Sequence, residues 1–567
     1  MKTNHVSVLI VGAGPVGLAT AALLRQHGVA VRIIEKNKGP TPYSKAIGIH
    51  ARTLESMHAL GLTEQLIADG HPMHKFRLVE DGRTIMAAGF SNIGSPYSFV
   101  LGLPQSRTEQ NLLARFQELG GSVEWGTHLT GITSCGNPGM PDAPAVVRVQ
   151  DADGVEQTIS CNWLIGADGS RSAVREMAKI AFPGGDYGNA FILGDVKIDW
   201  DGPKYDLQFF LSGKGYLLLI PMPNGMHRII AQTDQTYEDF QQGERPATTL
   251  QELQQIVNRN GPGNLRVHSP QWLTCAPFYH RLADTAVKDR IVLVGDAFHL
   301  FSPLGAQGLN TGFQDAFNLG WKLAFIEKGW ADPQLLHSYK DEREAIARRI
   351  AAVTTKTTRY ITATSLPQRL LRRYATTWYN RTERVQTALP RMLAGLMQSY
   401  GADAALSGLS AAGLPQAGSR LPHAWLPSGQ AQRPLASLIH GTRFTLLLVI
   451  NRLDEQSLSA LGQFWNASNR SRFPFLQLTV IARETALWQD RMPAGCDLID
   501  DRLGSLFNAL NEYREAMILV RPDGFCALSS KSWSFDDIVR YFANCHFDAQ
   551  SAISAVSTQE EKLLYAA

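Results

Sequence analysis

Residues 6 to 17 read Val6-Ser7-Val8-Leu9-Ile10-Val11-Gly12-Ala13-Gly14-Pro15-Val16-Gly17, an apolar run followed at once by a Gly-x-Gly-x-x-Gly pattern. The β-branched and apolar residues predict a buried strand. Leu18 to His27 has the apolar spacing of a helix, and Val29 to Glu35 predicts a second strand that ends in an acid. The stretch therefore predicts a strand, a glycine-rich turn, a helix and a second strand, which is one unit of a parallel α/β domain.

The glycine spacing of this unit is the spacing that a dinucleotide requires. Gly12 makes the turn, Gly14 lets a pyrophosphate approach the backbone, and Gly17 lets the helix pack closely on the strand. Glu35 is placed to bind a ribose hydroxyl, and an acid at this point indicates FAD or NAD rather than NADP. The alternative interpretation, a glycine-rich helix cap with a merely exposed Glu35, explains fewer of these features.

Two later stretches repeat the order of strand, acid-containing turn and helix. Ile165 to Arg175 carries Asp168-Gly169, which alone would be an ordinary turn. Ile291 to His299 contains Gly295-Asp296, and the Pro- and Gly-rich stretch Ser302 to Gly312 leads into a helix. Such a loop lets backbone N–H groups approach a ligand and points the positive end of a helix at an anion. The three units together predict three edges of one nucleotide site.

Composition limits the class of protein. The 567-residue chain is too long for one hydrophobic core, so about two to four domains are expected. A net charge of +3 with 19% charged residues does not indicate a nucleic-acid partner, and the apolar runs are too short to span a membrane. The first residues lead almost directly into a strand without a secretory signal, so a cytoplasmic location is expected. The six cysteines form no Cys-x-x-Cys pair, which favours isolated thiols over disulfides or a metal site.

The texture of the sequence changes along the chain and predicts four regions. Alternating strands with few helices predict a mostly antiparallel sheet inserted into the α/β domain, which is a natural wall for a substrate pocket. A basic helical region and a small C-terminal α/β module follow, and the module has no nucleophile or metal pattern. We predict a dinucleotide-binding domain, for FAD or NAD, from residues 1–77, 103–181 and 282–350, a substrate domain from 78–102 and 182–281, a helical linker at 351–412, and a C-terminal domain at 413–567.

Taken together, these motifs resemble those of the group A flavoprotein aromatic hydroxylases, the para-hydroxybenzoate hydroxylase family. The Gly12 to Gly17 motif, Asp168-Gly169 and Gly295-Asp296 with Gly308 to Gly312 occur in that family's order and approximate spacing. The tail, with Arg521-Pro522-Asp523-Gly524, resembles the branch that carries a C-terminal thioredoxin-like domain. That branch includes phenol and hydroxyphenylpropionate hydroxylases and antibiotic-modifying monooxygenases. The resemblance implies a Rossmann-like FAD-binding domain, the inserted β-sheet domain and a thioredoxin-like final domain.

The resemblance also implies a reaction. In the family, NADPH or NADH binds transiently and reduces a bound FAD, and the reduced flavin reacts with O₂ to give a C4a-hydroperoxide that hydroxylates an aromatic ring. The chain has one dinucleotide fingerprint, which agrees with a nicotinamide cofactor that has no Rossmann domain of its own. We therefore expect an NAD(P)H-dependent flavoprotein monooxygenase acting on a phenolic or polycyclic aromatic substrate, without nucleic-acid or membrane partners.

The family's pattern assigns an FAD site to particular residues of this chain. Its members hold FAD at the first motif, at Asp168 near the pyrophosphate, at Asp296 on the ribityl chain and at backbone N–H groups around Gly308. The sequence departs from the pattern at Phe298 and Ala306, where smaller residues are common, and at Ile47, where some phenol hydroxylases carry an acid. The full predicted set is Gly12, Gly14, Pro15, Gly17, Glu35, Lys36, Lys45, Gln105, Arg107, Asp168, Asp296, Pro303, Gly308, Leu309 and Asn310.

A group that polarises a phenolic proton is expected on the inserted sheet. The candidates are Gln208, Tyr216, His227 and Arg228, although each is also an ordinary strand residue. Three alternatives stay open: a halogenase, a quinone hydroxylase, or a non-catalytic flavoprotein that binds an aromatic ligand. The apolar stretch Tyr216 to Pro221 lacks the Trp-x-Trp signature of halogenases, which counts against the first. The tail is expected to be structural or to mediate dimerisation, and the choice of substrate, of NADPH or NADH, and of monomer or homodimer stays open.

Overall fold

The computed structural model describes residues 4–41, 46–236, 238, 248–362, 365–401, 404, 406–428, 431–483, 485–502, 504–510 and 515–547. Lys45, one of the predicted FAD ligands, lies outside the described residues. The first part of the chain contains β1 Asn4–Val11, α1 Pro15–Gln26, β2 Val31–Glu35, β3 Gly48–Ile49, α2 Ala51–Met57, α3 Thr63–Asp69, β4 His71–Met73, β5 Lys75–Glu80, β6 Arg83–Gly89, β7 Val100–Gly102, α4 Gln105–Glu118, β8 Val123–Trp125, β9 His128–Ser134, β10 Ala145–Gln150, β11 Glu156–Gly166 and α5 Ala173–Met177.

The middle of the chain is richer in strands, and long helices follow it. This part contains β12 Gly184–Asp199, β13 Leu207–Ser212, β14 Gly215–Pro221, β15 Met226–Thr236, α6 Leu250–Asn260, β16 Arg266–Leu282, β17 Val287–Lys288, β18 Ile291–Leu293, β19 His299–Leu300, α7 Gln307–Glu327, α8 Leu335–Thr362, α9 Leu366–Arg381 and α10 Glu383–Leu393. The last part contains β20 Trp425–Ser428, β21 Ala431–Pro434, β22 Phe444–Arg452, α11 Glu455–Phe464, α12 Ala467–Arg472, β23 Leu476–Arg483, β24 Cys496–Asp500, α13 Ser505–Ala509, β25 Glu515–Val520, β26 Cys526–Ser530 and α14 Phe535–Asn544.

The first sheet carries the three sequence motifs. Its strand order is β17-β18-β11-β1-β2-β8, and the five strands from β18 to β8 run parallel. Val8, Leu9 and Ile10 of β1 are fully buried, since helices cover a parallel sheet on both faces, and this explains the unbroken apolar run. Val11 pairs with Gly166 and Gly166 with Leu293, so β1, β11 and β18 end at the same edge.

The second sheet is the predicted insertion. Its order is β19-β16-β12-β15-β14-β13-β5-β6, and its strand pairs are antiparallel except that between β13 and β5. Helix α6 covers one face, where Leu253 and Val257 form a core with apolar strand residues such as Leu217 and Ile229. The other face joins the large core that includes the first sheet. This sheet therefore forms a wall against the nucleotide-binding part of the chain.

The C-terminal region forms a third sheet in the order β24-β23-β22-β25-β26. Strands β22, β23 and β24 are parallel, and β25 and β26 are antiparallel to their neighbours. A βαβ unit followed by a ββα unit is the thioredoxin-like arrangement that the tail motif predicted. The hairpin of β20 and β21 lies within residues 413–567, near the start of the predicted C-terminal domain. Among the described residues, no helix is both long enough and apolar enough to cross a membrane.

Candidate functional site

The turns that follow β1 and β11 touch each other, and their contact explains two of the glycines. Gly12 has a φ of +106°, and a Cβ at this position would lie 2.4 Å from the carbonyl oxygen of Ala167. A Cβ on Gly17 would lie 2.0 Å from the carbonyl oxygen of Gly12. Both distances are far below van der Waals contact, so a side chain at Gly12 would push the two turns apart, and one at Gly17 would push α1 away from the turn after β1. The fingerprint glycines are thus required by local packing as well as by any ligand.

Gly14 has a different surrounding, and it supplies a test of whether FAD fits. A Cβ at Gly14 would meet no atom within 4 Å. Gly14 is the N-cap residue of α1 and Pro15 begins the helix, and the described residues provide no side-chain cap at this N-terminus. Open space in front of uncapped helix amides suits a pyrophosphate, which the partial positive charge of the helix end attracts. The site's own geometry therefore fits the ADP part of FAD.

A second uncapped helix end lies beside the first. Helix α7 begins after Ala306, whose φ of +53° lies in the left-handed region, and no side chain caps it. A Cβ on Gly312 would lie 2.7 Å from Cγ2 of Val16, so α7 packs closely on α1 near both N-termini. Glycine adopts this left-handed backbone without strain, which agrees with the expectation of a residue smaller than alanine at position 306.

Asp296 projects from the turn after β18 toward this second helix end. It is exposed, while Gly295 and Ala297 on either side are buried. A Cβ on Gly308 would lie 4.0 Å from Oδ1 of Asp296. A carboxylate that accepts hydroxyl hydrogen bonds and a helix end that attracts negative charge thus stand side by side. Pro303 and Leu309, which flank this end, are half-buried.

Glu35 lies at the end of β2 and is oriented toward the glycine turn. Its Oε2 accepts a hydrogen bond from the backbone N of Ala13 at 2.9 Å. Its Oε1 accepts from the backbone N of Asn37 at 2.9 Å and from Asn37 Nδ2 at 2.6 Å. These bonds fix the carboxylate beside the glycine turn. Lys36, the next residue, is exposed.

Asp168 closes its own turn. Its Oδ1 accepts from Ser172 Oγ at 2.5 Å and its Oδ2 from the backbone N of Val174 at 3.1 Å, which caps α5. Burial raises the pKa of this carboxyl group. Arg175, which sequence reasoning did not select, donates to the carbonyl oxygens of Ala297 at 2.9 Å and Ser170 at 2.9 Å. The guanidinium of Arg175 therefore ties the Asp168 turn to the Asp296 turn.

Three other predicted FAD residues hold loops in place. Arg107 makes two 3.0 Å hydrogen bonds to Asp69 on α3, and Gln105 accepts from the backbone N of Ala46 at 3.0 Å. Asn310 uses its whole amide: Oδ1 accepts from His50 N and Thr53 Oγ1, and Nδ2 donates to the carbonyl oxygens of Gly48 and Ala306. The Asn310 side chain thus joins the loop before α2 to the start of α7.

The pleat of the second sheet separates the four catalytic candidates. Gln208 pairs with Leu219, and His227 with Pro221, so both side chains lie on the face that α6 covers. Gln208 Nε2 donates to the carbonyl oxygen of Pro203 at 2.9 Å, and His227 Nε2 lies 2.9 Å from that of Lys204. Neither side chain faces the first sheet.

Tyr216 and Arg228 lie on the opposite face, toward the first sheet. Tyr216 stacks on Phe209 with ring centroids 5.4 Å apart, and burial raises the pKa of its hydroxyl. Arg228 is fully buried, forms an ion pair with Asp195, and lies over the ring of Trp272. A buried Tyr216 is a neutral hydrogen-bond donor, and Arg228 is committed to Asp195.

Comparison with known proteins gives the following similarities. The family described as FAD binding domain matches residues 5–354. The 6-methylpretetramide 4-monooxygenase of Streptomyces rimosus is 36% identical over 350 residues, which are 61% of this chain and 60% of that enzyme. The 12-dehydrotetracycline 5-monooxygenase/anhydrotetracycline 6-monooxygenase of Streptomyces rimosus subsp. rimosus is 28% identical over 550 residues, 91% of this chain and 94% of that enzyme. The structure of CabE, an aromatic hydroxylase from angucycline biosynthesis, has a TM-score of 0.72 at 24% identity and covers 95% of this chain and 99% of its own.

Proposed function

The chain belongs to the FAD binding domain family, and from this membership together with the three converging turns we propose that it is an FAD-dependent monooxygenase that hydroxylates a phenolic or polycyclic aromatic substrate with NAD(P)H and O₂. Family membership confirms the predictions of FAD as the cofactor and of a mixed α/β fold with an FAD-binding domain. The observation that carries the proposal is the open space in front of the α1 end at Gly14, with the start of α7 packed beside it and the Glu35 and Asp296 carboxylates at the two turns.

The residues of this chain divide the work of binding. The α1 end would hold the pyrophosphate, Glu35 would accept hydrogen bonds from the adenosine ribose, and Asp296 would accept them from the ribityl hydroxyls. The partial positive charge of the α7 end would stabilise negative charge on a bound flavin by about 0.3–1 kcal/mol, and by up to about 2 kcal/mol where partly buried. Bound FAD supplies the redox and oxygen chemistry, and the protein supplies position and exclusion of water.

The substrate is proposed to lie between the flavin and the wall of the second sheet. The ring centroid of Phe191 lies 4.7 Å from that of Phe278 and 5.7 Å from that of Tyr216, and Tyr216 stacks on Phe209. The rings of Phe191, Phe209 and Tyr216 are buried on the side of the second sheet that faces the first sheet. A flat, multi-ring ligand beside them would gain offset and edge contacts between rings in addition to apolar burial. Of the four predicted catalytic residues we favour Tyr216, whose neutral hydroxyl can orient a phenolic oxygen. The names of the two relatives, with 6-methylpretetramide in one and 12-dehydrotetracycline and anhydrotetracycline in the other, support a polycyclic substrate.

Reduction of the flavin under anaerobic conditions tests the function. Purified protein with FAD is mixed with NADPH or NADH, with and without phenols and polycyclic phenolics, and the flavin absorbance is followed before oxygen is admitted. We expect one nicotinamide cofactor to reduce the flavin, an aromatic ligand to accelerate the reduction, and a product heavier by one oxygen. A halogenated product or bound FAD that no aromatic ligand affects would favour the halogenase or the non-catalytic alternative instead.

A cytoplasmic location stays a prediction from sequence, and so do the domain boundaries. For self-association we propose a homodimer formed through α9. Its outer face shows Leu366, Leu370, Tyr374 and Trp378 at intervals of four residues, with 67%, 56%, 75% and 55% of their surfaces exposed. Residues four apart form one stripe along a helix, and contiguous exposed apolar stripes mark interaction sites. A single-helix stripe is also self-complementary about a two-fold axis.

Sedimentation over a range of protein concentrations tests the dimer. Leu370→Asp places a charge in the stripe and should shift the protein to monomer. The control is Leu487→Asp, since Leu487 is 83% exposed in a different part of the chain. Equal sedimentation of wild type and Leu370→Asp at every concentration would contradict the proposed interface.

A further inference from the structure

A buried cluster of ionisable side chains lies beneath the turn that carries Asp296. The side chains of His299, Asp315 and Arg343 are each 0% exposed. Asp315 Oδ2 accepts hydrogen bonds from the backbone N of Gly295 at 3.0 Å and from His299 Nε2 at 2.7 Å. Asp315 Oδ1 accepts from Arg343 Nε at 2.7 Å. We call these three residues the Asp315 cluster, and it shares no residue with the site described above.

Apolar side chains could fill the same volume, so the presence of three buried ionisable side chains needs an explanation. Buried ion pairs often contribute little net stability, since removal of both charges from water offsets their attraction. A buried carboxylate with hydrogen-bond donors on both oxygens is, however, rigid and well defined in orientation. Here one of those donors is the backbone of Gly295, which has a φ of +60° and precedes Asp296. The hydrogen bond to Gly295 N therefore restricts the conformation of the turn that carries Asp296.

The cluster also joins the two halves of the site. Asp315 belongs to α7, whose N-terminal end includes Gly308. Arg343 comes from α8 and donates through Nη2 to the carbonyl oxygen of Thr311, one turn before Asp315. His299 lies in β19, directly after the turn. The same carboxylate thus fixes the distance between the Asp296 turn and the start of α7.

We propose that Asp315 is a positioning residue for FAD: through its bond to Gly295 N it holds the Asp296 carboxylate in register with the α7 helix end, and His299 and Arg343 hold Asp315. This inference rests on the proposed function only in so far as the protein binds FAD. Asp315 does not touch the cofactor, and its effect is transmitted by one turn of backbone. Loss of the bond leaves Asp296 present but displaced, so the affinity for FAD falls and the environment of the flavin changes.

Asp315→Asn tests the proposal. Asparagine keeps the shape of the side chain but cannot accept all three hydrogen bonds as a carboxylate does. The matched control is Asp501→Asn. Asp501 is also fully buried and accepts backbone hydrogen bonds, from Ser505, Leu506 and Phe507, but it lies in the C-terminal domain. Three quantities are measured for each protein: the melting temperature without FAD, the dissociation constant for FAD by fluorescence titration, and the reduction potential of the bound flavin.

Both variants should melt at lower temperature, because each loses bonds to a buried carboxylate. Only Asp315→Asn should weaken FAD binding, by at least about tenfold, and shift the potential. If Asp315→Asn binds FAD within twofold of wild type, the proposal is wrong and the cluster serves stability alone. His299→Gln and Arg343→Lys, which keep a donor, provide folded variants if Asp315→Asn does not fold, and they should show the same effect in weaker form. Wild-type protein that binds no FAD would refute the proposed function instead.

Discussion

The side chain of Arg521 contacts a helix outside the C-terminal domain, so its substitution tests how strongly that domain is attached to the rest of the protein. Its guanidinium donates to Glu342 on α8 at 2.6 and 2.9 Å and to Asp523 at 3.1 and 2.5 Å. Lys322 also donates to Glu342, at 2.8 Å. The side chains of Arg521, Glu342, Asp523 and Lys322 are at most 1% exposed. Despite burial, the charges of Arg521 and Lys322 lower the pKa of Glu342 to about 2.

Arg521→Met removes the charge while it keeps much of the volume. Glu342 and Asp523 would then stay buried with Lys322 as the one remaining cation of this group, and loss of one partner of a buried pair costs about 3–5 kcal/mol. Arg491→Met is the control, because Arg491 makes an equally short two-bond pair with Glu455 at 2.7 and 2.6 Å. That pair is 50% and 72% exposed, and exposed pairs contribute about 0–1 kcal/mol.

Urea unfolding followed by tryptophan fluorescence, together with limited proteolysis between the domains, gives the readout. A multidomain chain is not expected to unfold in one step, so the midpoint of the first transition is compared. We expect Arg521→Met to lower this midpoint and to accelerate cleavage, and Arg491→Met to do neither. Equal behaviour of the two variants would show that the buried group does not hold the domains together.

Four further predictions concern the site and its surroundings. Asp296→Ala should lose FAD, whereas Asp153→Ala, a change in an exposed turn, should not; full flavin occupancy of the first variant, read from the absorbance, would show that the ribityl site is misplaced. Gly17→Ala should weaken FAD binding and lower the melting temperature, since the new Cβ would lie 2.0 Å from the oxygen of Gly12, and an unchanged protein would contradict this packing. Tyr216→Phe should impair binding of an aromatic substrate more than Gln208→Leu does, because Tyr216 lies on the face of the second sheet toward the first sheet and Gln208 lies on the opposite face. Titration of flavin absorbance with ligand checks this order. Burial lowers the pKa of His27 to about 3 and of His50 to about 4, so these histidines take up protons in the unfolded chain first as the pH falls below 6.5. The free energy of unfolding should therefore drop by up to about 1.4 kcal/mol per pH unit for each histidine. His50→Gln should flatten the pH dependence of the urea midpoint.

The tail prediction has its own test. Sequence indicated a structural or dimerisation role, and the buried contacts of Arg521 favour the structural one. Truncation near Gly413 should therefore expose apolar surface of α7, where Trp321 and Phe325 pack against Phe444 of β22. Sizing, melting and activity measurements on the truncated protein check this. A remnant as stable and active as the whole chain would contradict it.

Local signals in the sequence were enough for the nucleotide-binding framework. The glycine pattern, the acid at the end of β2 and the two later turns are short-range features, and each depends on backbone geometry within about ten residues. Parallel strands place their carboxyl ends at one edge, so three such turns had to converge. The alternating pattern of the insertion likewise identified an antiparallel sheet, because side chains alternate between faces along a strand.

Only the tertiary structure decided on which side of the second sheet each side chain lies and which distant residues contact one another. The pattern of alternation shows that Gln208 and Phe209 lie on opposite faces, but only the position of α6 shows which of the two faces that helix covers. His299 and Asp315 are 16 residues apart and Asp315 and Arg343 are 28 apart, and each looks like an ordinary polar residue of its own element. They meet because α7 and α8 pack beneath the Asp296 turn, and no local rule encodes that contact. Backbone conformation is set by neighbours in sequence, whereas the partners of a buried charge are set by how whole elements pack.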